Sequence, residues 1–235
     1  MNAKKRVKRI ALKEIDSTNN YAKSLRADGF AQDVIITAKR QTAGRGTKGR
    51  SFSSQAGGVY LTYLRFFENF EAKRAFEIMA SAAVAVCKTL ESLGLSPVIK
   101  WANDVHVNGK KICGVLTENV FSGAFVQCSV VGVGLNVNNL LEEELQAIAT
   151  TMRAEQGKRV CLRQVIKRLT GYLQAPFCMD DYLSRLGYMG RRAELIFGDE
   201  RIPATLLSVD CEGILTVETS EGQKRFSAAE ISVIL

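Results

Sequence analysis

Gln41-Thr42-Ala43-Gly44-Arg45-Gly46-Thr47-Lys48-Gly49-Arg50, followed by Ser51-Phe52-Ser53-Ser54-Gln55-Ala56-Gly57-Gly58, is the stretch on which the fold turns. Gly44, Gly46 and Gly49 satisfy the G-x-G-x-x-G spacing of dinucleotide-binding folds. That fingerprint works only when a helix opens directly behind the glycines and points its N-terminus at a pyrophosphate. Residues 51–58 are rich in Ser and Gly and form no helix, so the doubly wound dinucleotide fold is excluded. The P-loop pattern fails as well, because Arg50 stands where its lysine must be. What remains is a flexible loop with three glycines and three cations (Arg45, Lys48, Arg50) in seven residues. Its backbone N–H groups and guanidinium forks suit phosphate and carboxylate. On these residues alone, a mobile solvated loop explains the composition equally well.

Upstream, residues 9–12 read as a short strand. Asp16-Ser17-Thr18-Asn19 can cap a helix carrying Tyr21, Ala22 and Leu25 at helical spacing, stopped by Asp28-Gly29. Residues 34–38 are a β-branched strand running into the loop. Downstream, 58–66 alternates aromatic and aliphatic residues as a strand. Residues 70–93 predict a long Ala-rich helix, buried against a sheet and closed by Gly94. Strands follow at 98–101, 105–107, 112–120 and 125–135, with Asn108-Gly109 as a hairpin turn. Two helical patterns occupy 140–155 and 162–186, the second interrupted by Pro176. From Tyr188 the texture changes to short strands at 193–197, 202–209, 213–218, 224–226 and 231–234. The expected fold is α+β: a mixed sheet with helices over 1–187, and a small β-barrel over 188–235.

The chain has 235 residues, 46% hydrophobic and 24% charged, which is the balance of an ordered globular protein. No apolar run approaches the roughly 18 residues that span a bilayer. The basic start (Lys4, Lys5, Arg6, Lys8, Arg9, Lys13) leads into no signal-peptide core, so a cytoplasmic protein is expected. Lys and Arg number 32 against 24 Asp and Glu, a net charge of +8 that asks for an anionic partner: nucleic acid, nucleotide or acidic protein. Six scattered cysteines without a Cys-x-x-Cys pair read as five or six buried thiols, with no need of disulfides and a spacing that fits no zinc site. His106 is the one histidine, which leaves no basis for a histidine metal site or triad.

Three more segments carry chemistry. Lys100-Trp101-Ala102-Asn103-Asp104 follows a strand and holds the one Trp. Lys110-Lys111-Ile112-Cys113-Gly114 brings two lysines into an apolar strand, where snorkelling to the surface is the ordinary explanation. Gly132-Val133-Gly134-Leu135-Asn136 strips side chains from one strand face, for close approach of a ligand or for a tight bend. Ser17-Thr18-Asn19, then Gln41-x-x-Gly44-Arg45-Gly46 with Gly49-Arg50, then these three segments, occur in an order that resembles the biotin protein ligases.

The resemblance covers about residues 10–140 by motif and extends to the C-terminus by architecture, where 227–232 is similar to the family's closing strand. It implies a class II synthetase-like catalytic sheet with a small SH3-like barrel. The implied activity joins biotin to ATP as biotinyl-5′-adenylate, then passes biotin to a lysine of a biotin carboxyl carrier domain. Ser17, Thr18, Asn19 and Gln41 would line the ureido pocket. Arg45, Gly46 and Thr47 would close over biotin and adenylate, while Lys111 would hold the carboxylate and α-phosphate, with Gly114 beneath. Arg50, Trp101, Asn103, Gly132, Gly134 and Asn136 would serve the nucleotide. Lys111, Arg45 and Asp104 would be catalytic, Asp104 by aiding the lysine attack. Mg2+ would come with ATP, with no protein ligand assigned. The reaction needs no enzyme nucleophile, so one histidine suffices.

Three positions depart from the family pattern: Ala102 for a common proline, Phe52 for a common tryptophan, and Thr47 for a second loop arginine, which weakens the expected hold on adenylate. The related lipoate ligases and transferases are the enzyme alternative; a non-catalytic biotin-binding module is another. Some biotin ligases carry an N-terminal DNA-binding module of roughly 50–60 residues. Sixteen residues precede Ser17 here, so a monofunctional protein without a specific DNA partner is expected. No membrane partner is expected, and a homodimer is compatible with the resemblance.

Overall fold

Seven strands form the larger sheet, in the order β1-β2-β3-β7-β6-β5-β4. The structure, a computed structural model, describes residues 7–235. The strands are β1 (Lys8–Ile15), β2 (Val34–Gln41), β3 (Val59–Glu71), β4 (Val98–Lys100), β5 (Asp104–Val107), β6 (Lys110–Ser122) and β7 (Phe125–Leu135). β1 and β2 are parallel, joined through α1 (Thr18–Ala27), and the other pairs are antiparallel, so the sheet is mixed as expected. The Asn108-Gly109 turn joins β5 to β6, both residues at positive φ.

Alternation along each strand separates the two faces. Ile35, Leu61, Tyr63, Val115, Val131 and Val133 belong to the main core, against α2 (Ala75–Glu91). α2 is buried over several sides because α4 (Leu162–Leu173) and α5 (Met179–Leu183) pack on it from outside, and its alanines allow that approach. On the opposite face Val34, Ile36, Leu64, Cys128 and Val130 pack under Ala22 of α1. Further along those strands that face turns polar or bare, at Thr62, Gly132, Gly134 and Gly114. The site lies there.

The second sheet is antiparallel, in the order β11-β10-β9-β8-β12, from β8 (Arg192–Phe197), β9 (Glu200–Val209), β10 (Leu215–Thr219), β11 (Gly222–Phe226) and β12 (Ile231–Ile234). β9 pairs with β8 through its first part and with β10 through its second, where a small barrel was expected. Trp101 Nε1 donates to Gly213 O across the two sheets at 3.1 Å, and Gly213 (φ +83) lies where a Cβ would overlap the Phe76 ring. Leu195, Leu206, Leu215 and Ile231 join the core that holds Ile99 and Leu90.

Three sequence expectations fail, two of them to tertiary contact. The helix expected over 70–93 begins at Ala75, because Phe70 and Glu71 pair with Val126 and Phe125 and extend β3 beyond a bulge. The helix expected over 140–155 is a loop with one 3-10 turn, ending in α3 (Met152–Gln156), which Thr151 caps through its side chain. Here Lys111 N–H donates to Ile148 O and Thr150 N–H to Lys111 O, so the segment follows the β6 edge and Leu140 and Ile148 stay exposed. Of the cysteines, Cys87, Cys113 and Cys128 are buried, but Cys161, Cys178 and Cys211 are exposed. Cys161 and Cys178 precede α4 and α5 as their capping residues, where solvent reaches them. Lys8, Arg9 and Lys13 are exposed on β1, whereas Lys4, Lys5 and Arg6 lie outside the described residues. Among the described residues, no helix is long and apolar enough to cross a membrane.

Candidate active site

The start of α1 makes one wall. Ser17 is its capping residue yet makes no capping bond with its side chain, which leaves the hydroxyl for the cavity it lines. Ser17, Thr18 and Asn19 are all buried. Gln41, at the end of β2, accepts at Oε1 from Thr18 N–H (2.8 Å) and from Thr18 Oγ1 (3.0 Å). Its Nε2 donates to Ser54 Oγ at 2.8 Å, and Ser54 donates on to Phe52 O. Thr62, from β3, reaches Thr18 Oγ1 and Asn19 Oδ1, and Asn19 Nδ2 donates to Glu118, which pairs with Lys23.

Bare strands make the floor. A Cβ on Gly132 would overlap Asn19 Oδ1, and one on Gly134 would lie 2.6 Å from the Phe52 ring. Side chains of the protein itself therefore occupy the approach these glycines permit. The central cavity is about 40 Å³ and is lined by Ser17, Thr18, Asn19, Gln41, Arg45, Gly46, Thr47, Asn103, Asp104, Lys111, Gly114, Gly132 and Gly134. Phe52 and the 44–50 loop narrow it, since Phe52 N–H donates to Gly44 O and Gly46 N–H to Arg50 O. Arg50 braces the loop through Thr47 O and Oγ1, while Lys48 (φ +56) reaches Ser232 Oγ on β12 at 3.2 Å. Arg45 donates to Asn20 Oδ1.

Two larger clefts adjoin this cavity. One, of about 510 Å³, is lined by Arg50, Phe52, Lys100, Asp104, His106, Lys111, Asn136, Ile148 and Tyr188. The other, of about 630 Å³, lies between the two sheets and is lined by Thr47, Lys48, Arg50, Lys100, Trp101, Asn103 and Asp104, together with α2 and β12 residues. Asp104 borders all three spaces. Its Oδ1 is 2.8 Å from Lys111 Nζ, and Asn103 Nδ2 donates to Val115 O at the same corner.

Positive charge is crowded here. Burial pushes the Lys100 ammonium below its ordinary range, and Lys111 and Arg50 add repulsion that Asp104 partly offsets. Burial lowers Lys48 in the same way, with Arg50 contributing. His106 is lowered to about 4, mainly by burial and then by Lys100, and its Nδ1 is 2.9 Å from Tyr188 OH. Its imidazole is neutral near pH 7.

Thirteen of the sixteen sequence-predicted positions thus line the central cavity, and Arg50, Trp101 and Asn136 do not. Arg50 and Asn136 face the adjoining cleft, where Asn136 Oδ1 accepts from Asn139. Trp101 is buried and spends its indole N–H on Gly213, so in this structure it is a tie between the sheets as well as a cleft wall. Lys100 stood in the Lys100–Asp104 motif without a role, and His106, Thr62, Ser54, Lys23 and Glu118 were not anticipated. Two-residue alternation from Gly114 through Leu116 leads to Glu118, but nothing local in the sequence brings Thr62 or Lys23 to it.

The chain is similar to known ligases over nearly its whole length. The sequence profile of the Biotin/lipoate A/B protein ligase family matches residues 11–136. The bifunctional ligase/repressor BirA of Bacillus subtilis is 30% identical over 237 residues, covering 93% of this chain and 72% of that protein. The biotin--[acetyl-CoA-carboxylase] ligase of Mycobacterium tuberculosis is 28% identical, covering 92% and 85%. A biotin protein ligase from Aquifex aeolicus, solved in complex with biotin and ATP, superposes with a TM-score of 0.76 at 30% identity, over 96% of this chain and 98% of that one.

Proposed function

This chain belongs to the biotin/lipoate A/B protein ligase family, and from that premise we propose that it activates biotin with ATP as biotinyl-5′-AMP and transfers biotin to a lysine of a biotin carboxyl carrier domain. The observation that carries this reading is the crowding of Lys100, Lys111 and Arg50 around Asp104, between a small polar cavity and a cleft with apolar walls. Such a cluster is electrostatically incomplete until an anion joins it, and a triphosphate beside a carboxylate is that anion.

Biotin's ring would meet Ser17, Thr18 and Gln41, with its carboxylate directed to Lys111. In the first step a carboxylate oxygen attacks the α-phosphorus, the bond to the bridging oxygen breaks, and pyrophosphate leaves. Lys111, Arg45 and Arg50 stabilise the charge that develops on the phosphate oxygens. In the second step a lysine amine attacks the acyl carbon and AMP departs, with Asp104 placed to take the amine's proton. Phe52 over Gly134 must move for a bicyclic ring to enter, since 40 Å³ is far below the roughly 300 Å³ of an ordinary ligand pocket. Asp104 is the one carboxylate in the lining of the central cavity and is paired with Lys111, so a magnesium ion would enter on the phosphates and keep most of its water.

The division into 1–187 as catalytic unit and 188–235 as accessory barrel, cytoplasmic location and the carrier-domain partner belong to the same proposal. Incubation with ATP, Mg2+, biotin and a carrier domain should add one biotinyl group to the carrier, read by mass. Biotin-dependent exchange of pyrophosphate into ATP should accompany it. Exchange driven by lipoate in place of biotin would overturn the reading.

A further inference from the structure

We propose that Glu118, which lies outside the central cavity, fixes the direction of the hydrogen bonds along its polar wall and so makes Thr18 an acceptor that reads the ring N–H groups of a cyclic urea; this rests on the biotin-ligase reading above. Glu118 follows Gly114 and Leu116 on one face of β6. Its carboxylate stands between Lys23 Nζ at 2.5 Å and Asn19 Nδ2 at 3.0 Å. A carboxylate accepts and does not donate. Asn19 must therefore turn its NH2 group to Glu118 and its Oδ1 to Thr62. Thr62 Oγ1 is 2.7 Å from that oxygen and gives it its single proton.

The Thr18 hydroxyl then has two neighbours within the wall. Thr62 Oγ1, at 2.8 Å, has no proton left to offer. Gln41 Oε1, at 3.0 Å, is an acceptor held in place by the Thr18 backbone N–H, while Gln41 Nε2 is spent on Ser54. Both neighbours take a proton, so the Thr18 hydrogen stays inside the wall. Only its lone pairs face the cavity, where they accept an N–H and disfavour a carbonyl or ether oxygen. Thr62, Thr18 and Asn19 are all at least 95% buried, which shields the order from water. Without the carboxylate Asn19 is free to flip and direct an N–H at Thr62. Thr62 then turns its proton on Thr18 and occupies the lone pair the ligand would meet.

The test is calorimetric binding of biotin, and of biotin methylated at its ring nitrogens, to the native protein, Glu118→Leu and Glu118→Gln, with ATP affinity measured alongside. Glu118→Leu should bind biotin about tenfold more weakly and narrow the preference for biotin over the methylated form about fivefold. Glu118→Gln still offers Asn19 an oxygen acceptor and should stay within about twofold of native on both measures. ATP affinity should move in neither. A loosened pocket would weaken both ligands together, so the narrowed preference is the specific readout. Glu118→Thr, too short to reach Asn19 and at home in a strand, makes the same measurement if the leucine variant does not fold. Native preference retained in Glu118→Leu or Glu118→Thr overturns the assignment of Glu118, whereas a native protein that binds no biotin overturns the ligase reading instead.

Discussion

The two faces of the seven-stranded sheet are made by alternate residues of the same strands, yet they do different work. Toward α2, Leu61, Tyr63, Val115, Val131 and Val133 form a continuous apolar layer. On the other face the same strands change character partway along: Leu64 gives way to Thr62, and Val130 to Gly132. One side of that boundary lies under α1, and the other is the site. Stability and chemistry are thus separated by strand parity on one axis and by two residues of strand length on the other. A mutation can reach one without the other.

The largest effect should come from the α2 face. Leu90→Ala, fully buried on α2, should cost about 2–5 kcal/mol in urea unfolding while the variant that remains folded keeps its biotin and ATP affinities. A variant of native stability and lost affinity would erase the separation of the faces. His106 tests the seam between cleft and core. Its folded-state proton affinity is depressed from the ordinary 6.5 to about 4, so the unfolded chain binds the extra proton between those values. Stability is therefore complete above pH 6.5 and falls as pH drops toward 4, by roughly 3 kcal/mol in all from this group. His106→Leu should flatten that limb of a stability-versus-pH curve; an unchanged slope would show that another group carries it.

On the chemical face, Lys111→Ala removes a charge-assisted contact worth roughly 1.5–3 kcal/mol. Biotin ligation should fall at least about tenfold with the thermal midpoint little changed, because the Lys111–Asp104 pair is partly exposed. Unchanged kinetics would remove Lys111 from the site. The smallest effect concerns Thr47, which Arg50 braces in the loop. Thr47→Arg should slow dissociation of biotinyl-adenylate several-fold, a difference of about 1 kcal/mol, by adding a guanidinium where only a neutral hydroxyl stands. Equal release rates would mean that Lys48, or the rest of the closed loop, already supplies that contact.

Much of this was legible in residue order because its causes are local. The helix start within Asp16–Asn19, the stop at Asp28-Gly29, the Asn108-Gly109 hairpin and the period-two strands depend on neighbours a few residues away, and each element is present. The motif residues Gln41, Arg45-Gly46, Asn103-Asp104, Lys111 and Gly132–Gly134 converge on one cavity because the strands carrying them are adjacent in the sheet. Glu118 was not legible. Its meaning depends on Asn19 and Lys23, which are 99 and 95 residues distant in sequence.

The failures have the same origin. Residues 70–71 carry an acceptable helical pattern, and only pairing with β7 makes them strand. Residues 140–155 look amphipathic, and only the backbone bonds to Lys111 hold them as a loop. Trp101 lines the cleft between the sheets, and nothing local in the sequence shows that Gly213, from the second sheet, takes its indole N–H. Most of the elements and the class of fold follow from residue order, since propensity, turn chemistry and charge act over short stretches. Which faces meet, and which polar groups are already spent on one another, depends on the folded chain, because strand register and hydrogen-bond partnership are set by atoms far apart in the sequence.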